Sequence, residues 1–237
     1  MHRPKLIYLA RRNPILEREQ FVSRWRQHGD LGMSMPRWKN VWRYVHCDVL
    51  PEADNAPGVD HGHDGVGLVW HRSPETRRAH REDTSSQAVM ENDERETFAE
   101  MVQDFCALYE EFPVVDCGES EGFKIFRFLK RRENISADEF RDEWSRLCAD
   151  LVLRSGDLRS RLKKYVQNHQ SPPEGRGWGL GYDLVEELWF GSIEDAVRTQ
   201  ADIVANGPLS AAIERSVSDI VTVITNEVVL YQVPERD

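Results

Sequence analysis

Leu9-Ala10-Arg11-Arg12, followed by Phe21-x-x-x-Trp25, recurs as Phe128-Leu129-Lys130-Arg131 followed by Phe140-x-x-x-Trp144, every pair 119 positions apart. The same displacement carries Asp64 onto Asp183 and Trp70 onto Trp189. Arg43-Tyr44-Val45 resembles Lys164-Tyr165-Val166 at a displacement of 121, so two residues are inserted and later removed. A register held at this many anchors marks an internal repeat, and a repeat decides how the rest is read. Residues 1–117 form one unit and 122–237 the other, joined by the short link Asp116 to Gly122.

Both units carry the same succession of patterns. An apolar run opens each (Lys5 to Ala10; Lys124 to Leu129), then a segment with helical spacing and an acidic start (Glu17 to His28; Ser136 to Leu147). Ser136-x-x-Glu139 is a capping-box pattern. Val41 to Leu50 and Leu162 to Asn168 are rich in aromatic and β-branched residues and predict strands. Turn-rich loops follow, Pro51 to His63 and Ser171 to Gly181. A third strand (Asp64 to Trp70; Asp183 to Phe190), a long helical stretch and a final strand (Phe112 to Val115; Glu227 to Val233) complete each unit. The order βαββαβ is that of a ferredoxin-like unit, an α+β fold. Its sheet has helices on one face only, and the third strand is apolar on both sides, at Val66, Leu68 and Trp70 and at Val69. The expectation is two units covering each other, sheet against sheet.

Bulk properties bound the partners. In 237 residues, 40% are hydrophobic and 30% charged, the profile of a globular protein. The net charge of −10, with basic and acidic residues interleaved, argues against nucleic acid. Leu6 to Ala10 is too short for a signal-peptide core, and no run approaches the roughly 20 apolar residues that cross a bilayer. A cytoplasmic protein without a membrane partner is expected. Cys47, Cys106, Cys117 and Cys148 show no zinc-ligand spacing and read as reduced thiols.

The paired basic residues after the first strand, the Phe-x-x-x-Trp helix, Tyr165-Val-Gln-Asn-His169 and Tyr182-Asp-x-x-x-Glu-Leu-Trp-Phe190 resemble a tandem EthD-type protein of the dimeric α+β barrel superfamily. The resemblance covers most of both units. The second keeps the later motifs, while the first keeps the helix His and a degenerate Asp64 to Trp70. It implies two modules closing one barrel within the chain, with a homodimer of chains as a further option. Related members include cofactor-free cyclases, dehydratases and oxygenases, and haem-handling proteins.

Phe21, Trp25 and His28 share one helix face, and at the repeat displacement His28 falls on Leu147. The fold can therefore fill the position with an apolar group, which points to imidazole as a general acid/base; a core histidine satisfied by a carbonyl is the bland alternative. Glu187 falls on Leu68 and shares strand parity with Val185 and Trp189, so a carboxylate with a raised pKa is expected, against a salt bridge as alternative. Trp25, Trp42, Tyr44, Tyr165, His169 and Trp189 are candidates to hold a ligand, or else core and edge residues. Asp64 and Asp183 read as caps of backbone N–H groups, and Arg11-Arg12 and Lys130-Arg131-Arg132 as solvated or anion-holding. His61 and His63 lack a third ligand, so no metal is expected. With no nucleophilic triad, phosphate loop or dinucleotide fingerprint, the leading reading is a cofactor-independent enzyme acting by proton transfer (dehydration, isomerisation, cyclisation or decarboxylation) on a hydrophobic aromatic or polycyclic metabolite. The other is a non-catalytic module that binds or delivers a small molecule such as haem.

Overall fold

The protein is described by a computed structural model covering residues 3–116, 122–154, 156–173 and 177–234. The link after Asp116 and Cys117 lie outside the described residues. The first half contains β1 (Lys5–Ala10), α1 (Arg18–Ser34), β2 (Val41–Val49), β3 (Gly65–His71), α2 (Pro74–Glu82), α3 (Gln87–Thr97) and β4 (Cys106–Asp116). The second contains β5 (Phe123–Arg131), α4 (Ala137–Arg154), α5 (Gly156–Arg161), β6 (Leu162–Gln170), β7 (Leu184–Phe190), α6 (Ile193–Ala205), α7 (Gly207–Ser216) and β8 (Val217–Gln232). Both final strands are longer than the sequence suggested, because each runs along a seam between the halves.

The eight strands close into one antiparallel barrel in the order β1-β3-β2-β8-β5-β7-β6-β4. The halves are not stacked as two separate sheets; they join edge to edge, β2 to β8 and β4 to β6. Closure leaves no strand edge with unpaired backbone groups, the feature that makes open sheets prone to association. It also explains why every residue of β3 and β7 is buried. Ile7, Leu9, Val45, Val66, Leu68, Phe126, Phe128 and Val185 fill the barrel. The outer faces lie under helices, with Tyr8, Phe21, Trp25, Val69 and Phe98 in the first half and Ile125, Phe140, Trp144 and Leu188 in the second.

The shared motifs hold matching corners. The Arg12 backbone N–H donates to Asp64 at 2.9 Å and the Arg131 N–H to Asp183 at 2.9 Å. The Arg12 and Arg131 guanidiniums pair with the same two carboxylates. These arginines therefore neither face solvent alone nor wait for an external anion. The predicted capping box forms at the start of α4, where Glu139 accepts the Ser136 N–H at 3.0 Å and Ser136 Oγ accepts the Glu139 N–H at 3.2 Å.

The loops cross between halves. After β2, the Leu50 N–H donates to Ile224 at 3.0 Å, the Asp60 N–H to Thr222 at 2.8 Å, and Gln200 to the Pro57 carbonyl at 3.0 Å. After β6, the Ser171 N–H donates to Leu108 at 2.8 Å and the Leu180 N–H to Cys106 at 3.1 Å. Gly179 lies so close to the Asp104 backbone that a Cβ would sit 2.3 Å from it, so no side chain fits there. Each half is thus strapped by the other. Among the described residues no helix is long and apolar enough to cross a membrane.

Candidate functional site

His28 and Glu187 lie on opposite faces of the barrel wall. Glu187 points inward among charges that follow the repeat. Lys5 and Lys124 both pair with it, Lys124 at 3.1 Å, and Asn168 donates to it at 3.0 Å. Lys5 also meets Glu111 at 2.8 Å, and Lys124 pairs with Glu227. Trp70 and Trp189 donate to those glutamates at 2.7 and 3.4 Å, and the two ammonium groups sit 4.5 and 4.1 Å from the indole centroids. Burial pushes the Glu187 carboxyl up, but Lys5 and Lys124 outweigh it and hold it down to about 2. The expected sign is reversed: Glu187 is a fixed anion near neutrality, not a proton shuttle. Trp189 belongs to this cluster. Trp42, with the Arg3 guanidinium 3.8 Å from its ring centroid, packs against the barrel-interior core.

His28 lies on the outer side, on the face of α1 turned to α3. Its Nδ1 is 2.7 Å from Asp93, whose other oxygen takes Arg24 at 2.6 Å. The Asp93 carboxyl is burdened by burial, but hydrogen bonds from Arg24 and His28 keep it below the usual range. Burial lowers the His28 pKa despite Asp93. A neutral imidazole whose Nδ1–H is given to a carboxylate presents an Nε2 lone pair, the arrangement of an oriented general base. The His28 ring stands edge-on to Phe98 at 5.1 Å, and Tyr8 meets the same Phe98 ring at 6.4 Å.

Tyr8 is the end of a buried chain of polar groups. Arg26 Nη1 lies 2.7 Å from His46 Nδ1, and Arg26 also pairs with Asp48. A guanidinium only donates, so His46 Nδ1 is the acceptor and its hydrogen sits on Nε2. Nε2–H then donates to Tyr44 Oη at 2.5 Å, and the Tyr44 and Tyr8 hydroxyls share a hydrogen bond of 3.0 Å in which either can be the donor. Trp25 Nε1–H also donates to Tyr8, at 3.1 Å. With Trp25 donating to one phenol and His46 to the other, the pair uses one of its two hydroxyl hydrogens for the bond between them, and the second remains to be given. Burial lowers the His46 pKa, helped by Arg26, and raises both tyrosines, so the imidazole and the two phenols are neutral near pH 7. Neither ring nitrogen of His46 is open to a metal or a haem iron. The Trp25 and His46 rings stack at 3.7 Å, and Gly67 makes room for Tyr8, since a Cβ there would be 1.8 Å from the phenol ring.

Trp25, Tyr44 and His28 from the sequence candidates therefore come together in the first half, as does His46, which the sequence places beside Tyr44 on one strand face as cleft-lining or edge residue, with Tyr8 and Asp93 added. Tyr8 looked like an ordinary residue of an apolar strand; its signal was the glycine at position 67, opposite it in the β1–β3 register. Asp93 was hidden in a charged helix. Tyr165 and His169 occupy the second half. Tyr165 donates to Glu186 at 2.5 Å, and His169 is held down to about 4 by burial and Arg141, its ring 5.1 Å from Phe112. His63 bonds Asp60 at 2.7 Å, and the described residues contain no group of three or more His, Cys, Asp or Glu able to hold a metal ion.

Residues 13–101 match the EthD domain. The match lies within the first half, not across both as the motifs suggested, and spans every residue of the Tyr8 chain and the His28–Asp93 pair except Tyr8. No curated protein matches in sequence. Among solved structures, an anthrone oxidase-like protein has a TM-score of 0.62 at 13% identity, over 96% of this chain and 91% of the other. A protein provisionally named a monooxygenase from Fusobacterium nucleatum subsp. nucleatum has a TM-score of 0.55 at 8% identity, over 97% and 93%. A variant chlorite dismutase from Candidatus Nitrospira defluvii has a TM-score of 0.53 at 9% identity, over 94% and 91%. At these identities the likeness is one of fold, and the chain shares with them a mixed α+β architecture around a closed eight-stranded barrel.

Proposed function

We propose that this protein is a cofactor-independent enzyme that transfers protons on a hydrophobic aromatic or polycyclic small molecule, in the layer between α1, α3 and the outer face of β1–β3–β2. The observation that carries this reading is the Tyr8–Tyr44 pair, which receives N–H groups from Trp25 and His46 and needs only one of its two hydroxyl hydrogens for the bond between them; in this reading the uncommitted hydrogen is on Tyr8. Tyr8 hydrogen-bonds a substrate carbonyl oxygen, stabilising the negative charge that develops when a neighbouring C–H is deprotonated. Neutral His28, oriented by Asp93, takes that proton. Fold neighbours with oxidase, monooxygenase and dismutase names support small-molecule chemistry on this architecture. The same reading takes residues 1–117 and 122–237 as two ferredoxin-like units, supported by the strand orders β4-β1-β3-β2 and β8-β5-β7-β6, and keeps the protein in the cytoplasm, with no nucleic-acid or membrane partner.

The test uses anthrone, an aromatic ketone with an acidic methylene, and follows deuterium uptake from D2O by NMR. Wild type should accelerate exchange over buffer, and Tyr8→Phe and His28→Gln should each reduce that acceleration by about 10²-fold or more. Trp144→Phe, at the second-half counterpart of Trp25, should leave it within about twofold. Exchange that ignores Tyr8→Phe and His28→Gln, or that never exceeds buffer for anthrone and hydroxylated anthrones, sinks the proposal.

A further inference from the structure

Whether the two phenols keep a hydrogen to give depends on a choice that they do not make themselves. His46 meets Tyr44 through Nε2 at 2.5 Å, and a hydroxyl can donate or accept there equally well. With its hydrogen on Nε2 the imidazole gives, and one of the two phenol hydrogens is left over. With that hydrogen on Nδ1 instead, bare Nε2 takes one phenol hydrogen, the bond between the phenols takes the other, and none is left. Both tautomers satisfy Tyr8 and Tyr44. The ring itself is held in place by its stack on Trp25, at 3.7 Å and 10°, so the tautomer is the one freedom that remains, and a group on the Nδ1 side must set it.

That group is Arg26, on α1 beside Trp25. Its Nη1 lies 2.7 Å from His46 Nδ1, and a guanidinium has no lone pair with which to accept a hydrogen from the ring. Its other arm pairs with Asp48, two residues beyond His46 on β2. The ion pair is poorly made as a source of stability. Asp48 Oδ1 is buried and has no hydrogen-bond partner, and burial pushes the Asp48 carboxyl up against the pull of Arg26; a part-buried pair with an unmet oxygen returns little of its desolvation cost. The second half shows that the fold does without it. At the repeat displacements Arg26 falls on Ser145 and Asp48 on His169, and the residue between them in space, His46, falls on Gln167. Gln167 donates to Tyr165 at 2.8 Å from an amide nitrogen that always carries its hydrogens, so it has no tautomer to settle. The guanidinium and its carboxylate occur in the half whose donor is a histidine.

Resting on the reading above, we propose that Arg26 is a positioning residue of the first-half site: by refusing a hydrogen from Nδ1 it keeps His46 in the Nε2–H tautomer, and so leaves the Tyr8–Tyr44 pair one hydrogen for an oxygen acceptor of the substrate. Asp48 aims the guanidinium. Arg26 touches no reacting atom and acts through His46 and Tyr44.

The tautomer is read without a ligand, from the 15N chemical shifts of the imidazole nitrogens at pH 8, above the reference histidine pKa of about 6.5. The His46 signals are those lost in His46→Gln. Wild type should carry the hydrogen on Nε2. In Arg26→Gln the amide nitrogen donates to Asp48 and the amide oxygen faces the ring, so the hydrogen should move to Nδ1. Arg26→Lys, whose ammonium has donors only, should keep it on Nε2. Deuterium exchange of anthrone should fall about 10²-fold in Arg26→Gln, as for Tyr8→Phe, and recover most of that loss in Arg26→Lys. Added to Tyr8→Phe, Arg26→Gln should cost no more than about twofold, because the hydrogen it protects is already gone; a residue that only supports the fold would cost the same in both backgrounds. A hydrogen on Nδ1 in wild type, one that stays on Nε2 in Arg26→Gln, or equal losses with and without the Tyr8 hydroxyl overturns the proposal. Exchange that never exceeds buffer, with the tautomer still following Arg26, would remove the catalytic reading and leave the control of the hydrogen by Arg26 standing.

Discussion

The helix–sheet layers of the two halves are built on one plan and end differently. Around Trp25 the order is His46, Tyr44, Tyr8; around Trp144 it is Gln167, Tyr165, Glu186. Gln167 donates to Tyr165 at 2.8 Å, Tyr165 to Glu186 at 2.5 Å, and Trp144 to the same oxygen at 3.0 Å. Arg127, at the counterpart of Tyr8, takes the other oxygen at 2.8 Å, and Glu186 stands at the counterpart of Gly67. A phenol over a glycine has been exchanged for a buried ion pair. In the second half the chain ends in a carboxylate already matched by a guanidinium. In the first half it ends in two phenols that need only one of their hydroxyl hydrogens to bond each other. The same framework therefore serves stability on one side and, on our reading, chemistry on the other.

The largest way to break this contrast is Glu186→Ala. It strands the Arg127 guanidinium, 3% exposed as a residue, along with the Trp144 and Tyr165 donors. A buried ion pair that loses one member costs about 3–5 kcal/mol, and urea unfolding should show a loss of that order. A loss under about 1 kcal/mol would mean that the second-half network is not the structural anchor described here. Gly67→Ala comes next. The methyl would overlap the Tyr8 ring, and overpacking of this kind costs about 1–3 kcal/mol. Tyr8→Phe combined with Gly67→Ala should recover none of it, because the ring carbons remain; recovery would place the clash at the hydroxyl alone.

The fold was legible because its signals are periodic and duplicated. Phe21 and Trp25 reappear as Phe140 and Trp144, and strand parity in Val66, Leu68 and Trp70 marked a wall buried on both sides. Edge-to-edge closure was less legible, since pairing β2 with β8 leaves no local pattern in either strand. Among the candidate site residues, His28 stood out because its counterpart is Leu147, an apolar group at the same helix position. The same argument misjudged Glu187. A leucine in the sister strand says nothing of the two lysines brought across the barrel, and those decide the sign of its pKa. Tyr8 was masked because a tyrosine within an apolar strand fits core as well as chemistry, and His46, alternating with Tyr44 on one strand face, read equally as a cleft-lining or an edge residue. Only the direction of the hydrogen bonds, set by Arg26 on a different element, distinguishes them.

The smallest expected effect is the sharpest test of that direction. His46→Gln installs what the second half already carries at the corresponding position, Gln167, whose amide donates to the tyrosine as His46 Nε2–H does. At pH 7.5 the variant should lie within about 1 kcal/mol of wild type, because one buried donor replaces another of similar reach. Acid separates them. The His46 pKa in the folded protein lies well below 6.5, chiefly through burial. Between its folded pKa and 6.5 the unfolded chain binds a proton that the folded chain refuses, so this residue's contribution is complete above 6.5 and falls as pH drops through the window, by up to about 1.4 kcal/mol per pH unit. Glutamine has no such penalty. His28, His71, His80 and His169 are also depressed and act in both proteins, so they cancel in the difference. Urea midpoints at pH 7.5 and 5.5 should therefore show His46→Gln gaining on wild type by up to about 1 kcal/mol at the lower pH. If the gap does not change with pH, or if wild type gains on the variant, His46 accepts a proton in the folded state and the chain from Arg26 to Tyr44 does not run in the direction assigned to it.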